Sequence, residues 1–93
     1  MFVGICELDI FIPESGSLKS KRFVLSSLKT RLRNKFNISV AEVGDTEKWQ
    51  RAHIGISMVA NERKFLDKTL QQVLDFVHNF DGIELLKHQW EIV

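Results

Sequence analysis

Two stretches of strict period-two hydrophobicity constrain this chain more than anything else in it. Residues 2–12 set Phe2, Gly4, Cys6, Leu8, Ile10 and Ile12 on one side and Val3, Ile5, Glu7, Asp9 and Phe11 on the other. Residues 50–60 repeat the pattern, with Ala52, Ile54, Ile56, Met58 and Ala60 against Arg51, His53, Gly55, Ser57 and Val59. Alternation of this length is the period of a β-strand, and each stretch has one fully apolar face to bury.

The segments between and after them change period. Pro13-Glu14-Ser15-Gly16 interrupts the first strand, and Ser17 is suited to cap a helix running to about Lys35. Leu18, Val24, Leu25, Leu28, Leu32 and Phe36 fall on one face of that helix. Asn37 to Gly44 returns to a β pattern through Ile38, Val40 and Val43. Asn61 is read as the cap of a second helix to about Phe80, with Leu66, Leu70, Val73, Val77 and Phe80 as its apolar stripe and Glu62 in its first turn. Asp81-Gly82 stops it, and Ile83 to Val93 reads as a last strand with Leu86, His88, Trp90 and Ile92 on one face. The order is βαββαβ. Its physical solution is an α+β, ferredoxin-like sandwich: a four-stranded antiparallel sheet with both helices on one face. The first and third strands then lie in the middle, and their other faces form an uncovered platform.

With 93 residues and 44% hydrophobic content, the chain supports one modest core, so residues 1–93 form a single domain. The lone cysteine, Cys6, cannot form an internal disulfide, which fits a reducing, cytoplasmic setting. The first residues lack the basic start of a signal peptide, and no apolar run reaches the ~20 residues of a membrane span.

Charge is segregated along the chain. The net charge is only +1, yet Lys19, Lys21, Arg22, Lys29, Arg31, Arg33 and Lys35 all precede the next acid, Glu42. A solvated helix face normally mixes signs to gain i,i+4 pairs, whereas this helix accepts repulsion among its cations. Lys19, Arg22, Ser26, Lys29 and Arg33 line up as one stripe beside the apolar face, a spacing that can track phosphates. The helix start adds an anion site at Ser17 with Lys19, Lys21 and Arg22. Ser17, Lys19, Lys21, Arg22, Lys29, Arg31 and Arg33 are therefore the candidate nucleic-acid or anion-binding residues. Phe23 points away from the apolar stripe; packing at a helix edge under a loop is the stronger reading, and exposure would suit base stacking or a protein partner.

A second candidate lies on the open sheet face. Antiparallel pairing of the two central strands brings Glu7 and Asp9 near Arg51 and His53. Such a set suits proton transfer, but no nucleophile or metal set completes it, and cross-strand charge pairing is the stronger reading. An RNA-recognition-motif domain has the same element order but stacks bases on sheet aromatics; here His53, Gly55 and Ser57 stand in their place. Acylphosphatases share the fold too, yet the 13–17 segment has no counterpart of their phosphate-binding loop. Glu42 is expected to pair with Arg51 or to accept loop amides, and Trp49 to cap the same loop. His53, His78 and His88 are scattered, so no metal and no cofactor is indicated. Val3, Ile5 and Phe11, with Leu86, His88 and Trp90 on the last strand, predict a homodimer that covers apolar surface.

Three segments resemble one family. Ser17-Leu18-Lys19-Ser20-Lys21-Arg22, Phe36-Asn37-Ile38-Ser39-Val40-Ala41-Glu42-Val43 and Trp49-Gln50-Arg51-Ala52 look like the signatures of the YlxP-like family of small bacterial proteins, in the same order and nearly end to end. The resemblance implies a ferredoxin-like fold and a setting among translation-initiation and ribosome-maturation genes, and carries no catalytic residues across. The reading that results is an accessory protein binding RNA or a ribonucleoprotein through its first helix. The alternative is a dimeric protein-interaction or anion-binding regulatory module without catalytic activity.

Overall fold

A computed structural model describes residues 1–93. The elements run β1 (Phe2–Phe11), α1 (Leu18–Lys35), β2 (Ser39–Val43), β3 (Arg51–Ala60), α2 (Arg63–His78) and β4 (Glu84–Ile92). They build one four-stranded antiparallel sheet in the order β2-β3-β1-β4, the expected ferredoxin-like arrangement. β1 and β3 are central and pair over their whole length, from Phe2 opposite Ala60 to Phe11 opposite Arg51.

That register puts the apolar side of each strand against the helices. Cys6, Leu8 and Ile10 of β1 and Ile54, Ile56 and Met58 of β3 are buried beneath Leu25, Leu28 and Leu32 of α1 and Leu66, Leu70, Val73 and Val77 of α2. Each such side chain contributes roughly 1.5–3 kcal/mol by leaving water. The reverse face, carrying Glu7, Asp9 and His53, has no layer over it.

Helix ends follow from local chemistry. Ser17 Oγ accepts the Ser20 amide at 3.1 Å, a standard N-cap bond. The second helix departs from expectation: its N-cap residue is Glu62, not Asn61, and no side chain bonds its first amides. Gly44 and Gly82 have φ of +76° and +88°, left-handed conformations that suit glycine where β2 and α2 give way to turns.

The last strand also departs from simple alternation. Lys87 pairs with Asp9 but Leu85 with Ile10, so the register shifts around Leu86. Leu85 instead of Leu86 packs against the core, and Leu86 is exposed. No helix is long and apolar enough to cross a membrane.

Candidate functional site

The cations of α1 meet three different fates. Lys21 is fully buried. Its ammonium lies 2.8 Å from Glu42 Oε2 and donates to the carbonyls of Thr46 at 3.0 Å and Lys48 at 2.6 Å. Lys21 is thus a core residue that ties α1 to β2 and to the following loop, not a surface cation for an anion. Glu42, in turn, pairs with Lys21 instead of Arg51. Its Oε2 has no hydrogen bond of good geometry, so the 2.8 Å contact acts as an ion pair rather than as an aligned donor–acceptor pair.

The sequence carried a signal for this pair. Leu18, Lys21, Leu25, Leu28 and Leu32 follow alternate spacings of three and four, so Lys21 stands in the apolar seam of its helix. Glu42 shares the inward side of β2 with the buried Val40. Two charges of opposite sign in apolar slots of facing elements satisfy each other, because neither is affordable alone. The loop after β2 is held by this lysine and by Gln50 Nε2 donating to Pro13 O at 3.0 Å, whereas Trp49 is exposed and caps nothing.

A second group of cations is engaged at the surface. Arg33 Nη2 donates to Val40 O at 2.8 Å. Arg31 lies over the Phe80 ring, and Lys35 over Phe36 and Phe76, at 5.2–5.8 Å from the centroids. These contacts explain how a helix without acids tolerates its charge: carbonyls and rings take the place of carboxylates.

Lys19, Arg22 and Lys29 remain. All three lie on one flank of α1, and none has a carboxylate within 4.0 Å. Ser17, expected to help hold an anion at the helix start, instead closes a hydroxyl cluster with Ser15 and Ser20. The other flank of α1 carries Phe23, 79% exposed and not tucked under a loop. There a groove of about 790 Å³ opens between the helices, walled by Phe23, Arg31 and Lys35 on one side and Phe76, Asp75 and Phe80 on the other.

On the opposite side of the molecule, the open sheet face brings three of its four candidate residues together. His53 Nδ1 is 2.8 Å from Asp9 Oδ1, its direct cross-strand neighbour, and Nε2 is 3.2 Å from Glu7 Oε1. Gln89 Nε2 donates to Glu7 Oε2 at 2.9 Å. Arg51 makes no hydrogen bond to the group and acts on Asp9 only through its charge. Donating to Asp9 first and to Glu7 second raises the His53 pKa. The hydrogen bonds from Gln89 and then His53 lower that of Glu7, and the bond from His53 lowers that of Asp9. When His53 is protonated both ring nitrogens donate, to Asp9 and to Glu7, and no lone pair is left to act as a base. The arrangement is a cross-strand hydrogen-bonded set in which His53 offsets part of the charge of Glu7 and Asp9. Cys6, buried beneath it, has its thiol pushed up to about 11 by desolvation and by Glu7, which keeps it protonated and unreactive. No group of three His, Cys, Asp or Glu side chains is placed to hold a metal.

Comparison with known proteins agrees with the geometry on fold and leaves activity open. Residues 3–90 match the family described as "Protein of unknown function (DUF503)". The chain is 41% identical over 90 residues to "Uncharacterized protein YlxP" of Bacillus subtilis (strain 168), covering 95% of this chain and 98% of that protein. Among solved structures it is similar to the de novo designed protein Foldit4, with a TM-score of 0.54 at 8% identity, covering all of this chain and 97% of that one. A designed protein this distant in sequence speaks to the fold alone.

Proposed function

Since the chain belongs to the DUF503 family of proteins of unknown function, its role has to be read from its own surface, and we propose that it is a cytoplasmic accessory protein that binds RNA or a ribonucleoprotein through α1. The observation that carries this reading is the flank of Lys19, Arg22 and Lys29, three cations without an acidic partner in a chain of net charge +1. Arg33, an exposed residue whose Nη2 donates to Val40 O, closes that flank. Such a row attracts phosphate with little sequence preference, since base edges are not what it contacts. The translation or ribosome-maturation setting implied by the sequence resemblance supplies RNA of this kind. Crosslinking in cells, followed by sequencing of the bound RNA, tests the reading. Recovery of RNA with the parent and its loss with Lys19→Glu/Arg22→Glu/Lys29→Glu is the expected result; equal recovery from both overturns it.

One observation favours a second reading, the dimeric module. The open sheet face exposes Ile5 at 40%, Val43 at 37% and Val59 at 56%, beside a polar set whose members already hydrogen-bond one another and so is less costly to cover. Sedimentation of the parent and of Ile5→Lys/Val59→Lys separates the cases: a dimer that the variant converts to monomer supports this reading, and a monomeric parent removes it.

A further inference from the structure

The two flanks of α1 differ in kind. Taking 100° per residue around the helix axis, Lys29, Arg22, Arg33 and Lys19 occupy one arc, Lys29 half-buried and the other three exposed, Phe23 stands just past the crest, and Arg31 and Lys35 descend into the groove beside α2. One edge of the helix is therefore a row of cations, and Phe23 opens the other, whose own cations Arg31 and Lys35 are turned onto the Phe80, Phe36 and Phe76 rings. The far wall of the groove carries the Phe76 and Phe80 rings together with Asp75 and Asp81. Arg31 and Lys35 already lie over the Phe80 and Phe76 rings and offset the two carboxylates, so the free aromatic face is that of Phe23 at the groove mouth, and the carboxylate oxygens suit the N–H edge of a nucleobase laid on it.

A single strand of RNA has the same two-edged character, with phosphates along one side and unpaired bases along the other. A duplex does not, because its bases are stacked and paired inside. We infer that α1 binds single-stranded RNA, with the phosphates along Lys19, Arg22 and Lys29 and at least one unstacked base laid on Phe23 at the mouth of the groove. This rests on the RNA reading above and adds to it a substrate class and a stacking residue. Nothing in the core requires a phenyl ring at a position that is 79% exposed, so its removal leaves the fold intact.

The test uses the full chain, a short unstructured RNA, its blunt duplex and an abasic strand of equal length, with binding followed by fluorescence anisotropy. The expected outcome is tighter binding of the single strand than of the duplex or abasic strand. Phe23→Ala should weaken the single strand about 5- to 100-fold, with unchanged salt dependence and unchanged duplex affinity, and Phe23→Trp should restore it. If Phe23→Ala binds the single strand like the parent, or if the abasic strand binds equally well, the stacking inference is overturned while the RNA reading stands. A parent chain that binds none of the three nucleic acids overturns both.

Discussion

Lys21 and Arg22 are neighbours in the chain, and the fold treats them as opposites. The first is sealed in the core, its ammonium shared among Glu42 and two loop carbonyls; the second is exposed with no acid near it. The difference is 100° of helix rotation. A basic run in a sequence is thus not one feature: part of it is structural, and only the remainder makes an outward field.

The largest effect that can break this contrast comes from truncating each residue. Lys21→Ala leaves the solvent-sealed Oε2 of Glu42 without a counter-charge and should cost ~3–5 kcal/mol, whereas Arg22→Ala should stay within about 0.5 kcal/mol, both read by denaturant unfolding. Comparable losses would mean that Lys21 is not the buried partner described above. A sharper version replaces both charges. Lys21→Met/Glu42→Leu should recover most of the stability, because an apolar pair of similar volume carries no desolvation penalty. The carbonyls of Thr46 and Lys48 still lose their donor, so amide exchange in residues 45–50 should quicken even as global stability returns.

The smallest expected effect lies on the sheet face, where charges are solvated. His53 has a folded-state pKa raised above its ordinary 6.5, so its contribution is complete below that value and is lost as pH rises through the folded value. Glu7 and Asp9 are lowered from 4.5 and 3.8, so theirs is complete above those values and is lost as pH falls through the folded ones. The set therefore contributes most between 4.5 and 6.5. Thermal melts should show Tm falling by about 1–3 °C from mildly acidic to alkaline buffer, a small change because solvent screens partly exposed pairs. His53→Gln should flatten that slope; an unchanged slope in the variant would assign it to other groups.

Much of the fold was legible because strand alternation is a local property. β1 and β3 could be placed from period alone, and equal-length antiparallel central strands then put Asp9 opposite His53. The features that sequence reasoning misplaced all depend on a distant element. Lys21 looks like a surface cation until Glu42 is known to face it. Leu86 sits on the apolar side of its strand until the shifted register against β1 moves Leu85 there. Asn61 is a good cap by type, yet the helix begins one residue later than its side chain requires. The groove had no sequence signature beyond Phe23, since it arises from the spacing of two helices that are far apart in the chain.

The central claim is that RNA meets the outer flank of α1 and not its buried side. Salt-dependent affinity for single-stranded RNA, measured side by side on the parent, Lys21→Met/Glu42→Leu and Lys19→Glu/Arg22→Glu/Lys29→Glu, tests it most directly. The account predicts that the first two bind alike, with a log–log salt slope near −2 from about three phosphate contacts at −0.7 each, and that the third loses binding while remaining folded. Equal affinity in all three, or loss of binding in the core double variant alone, would contradict it.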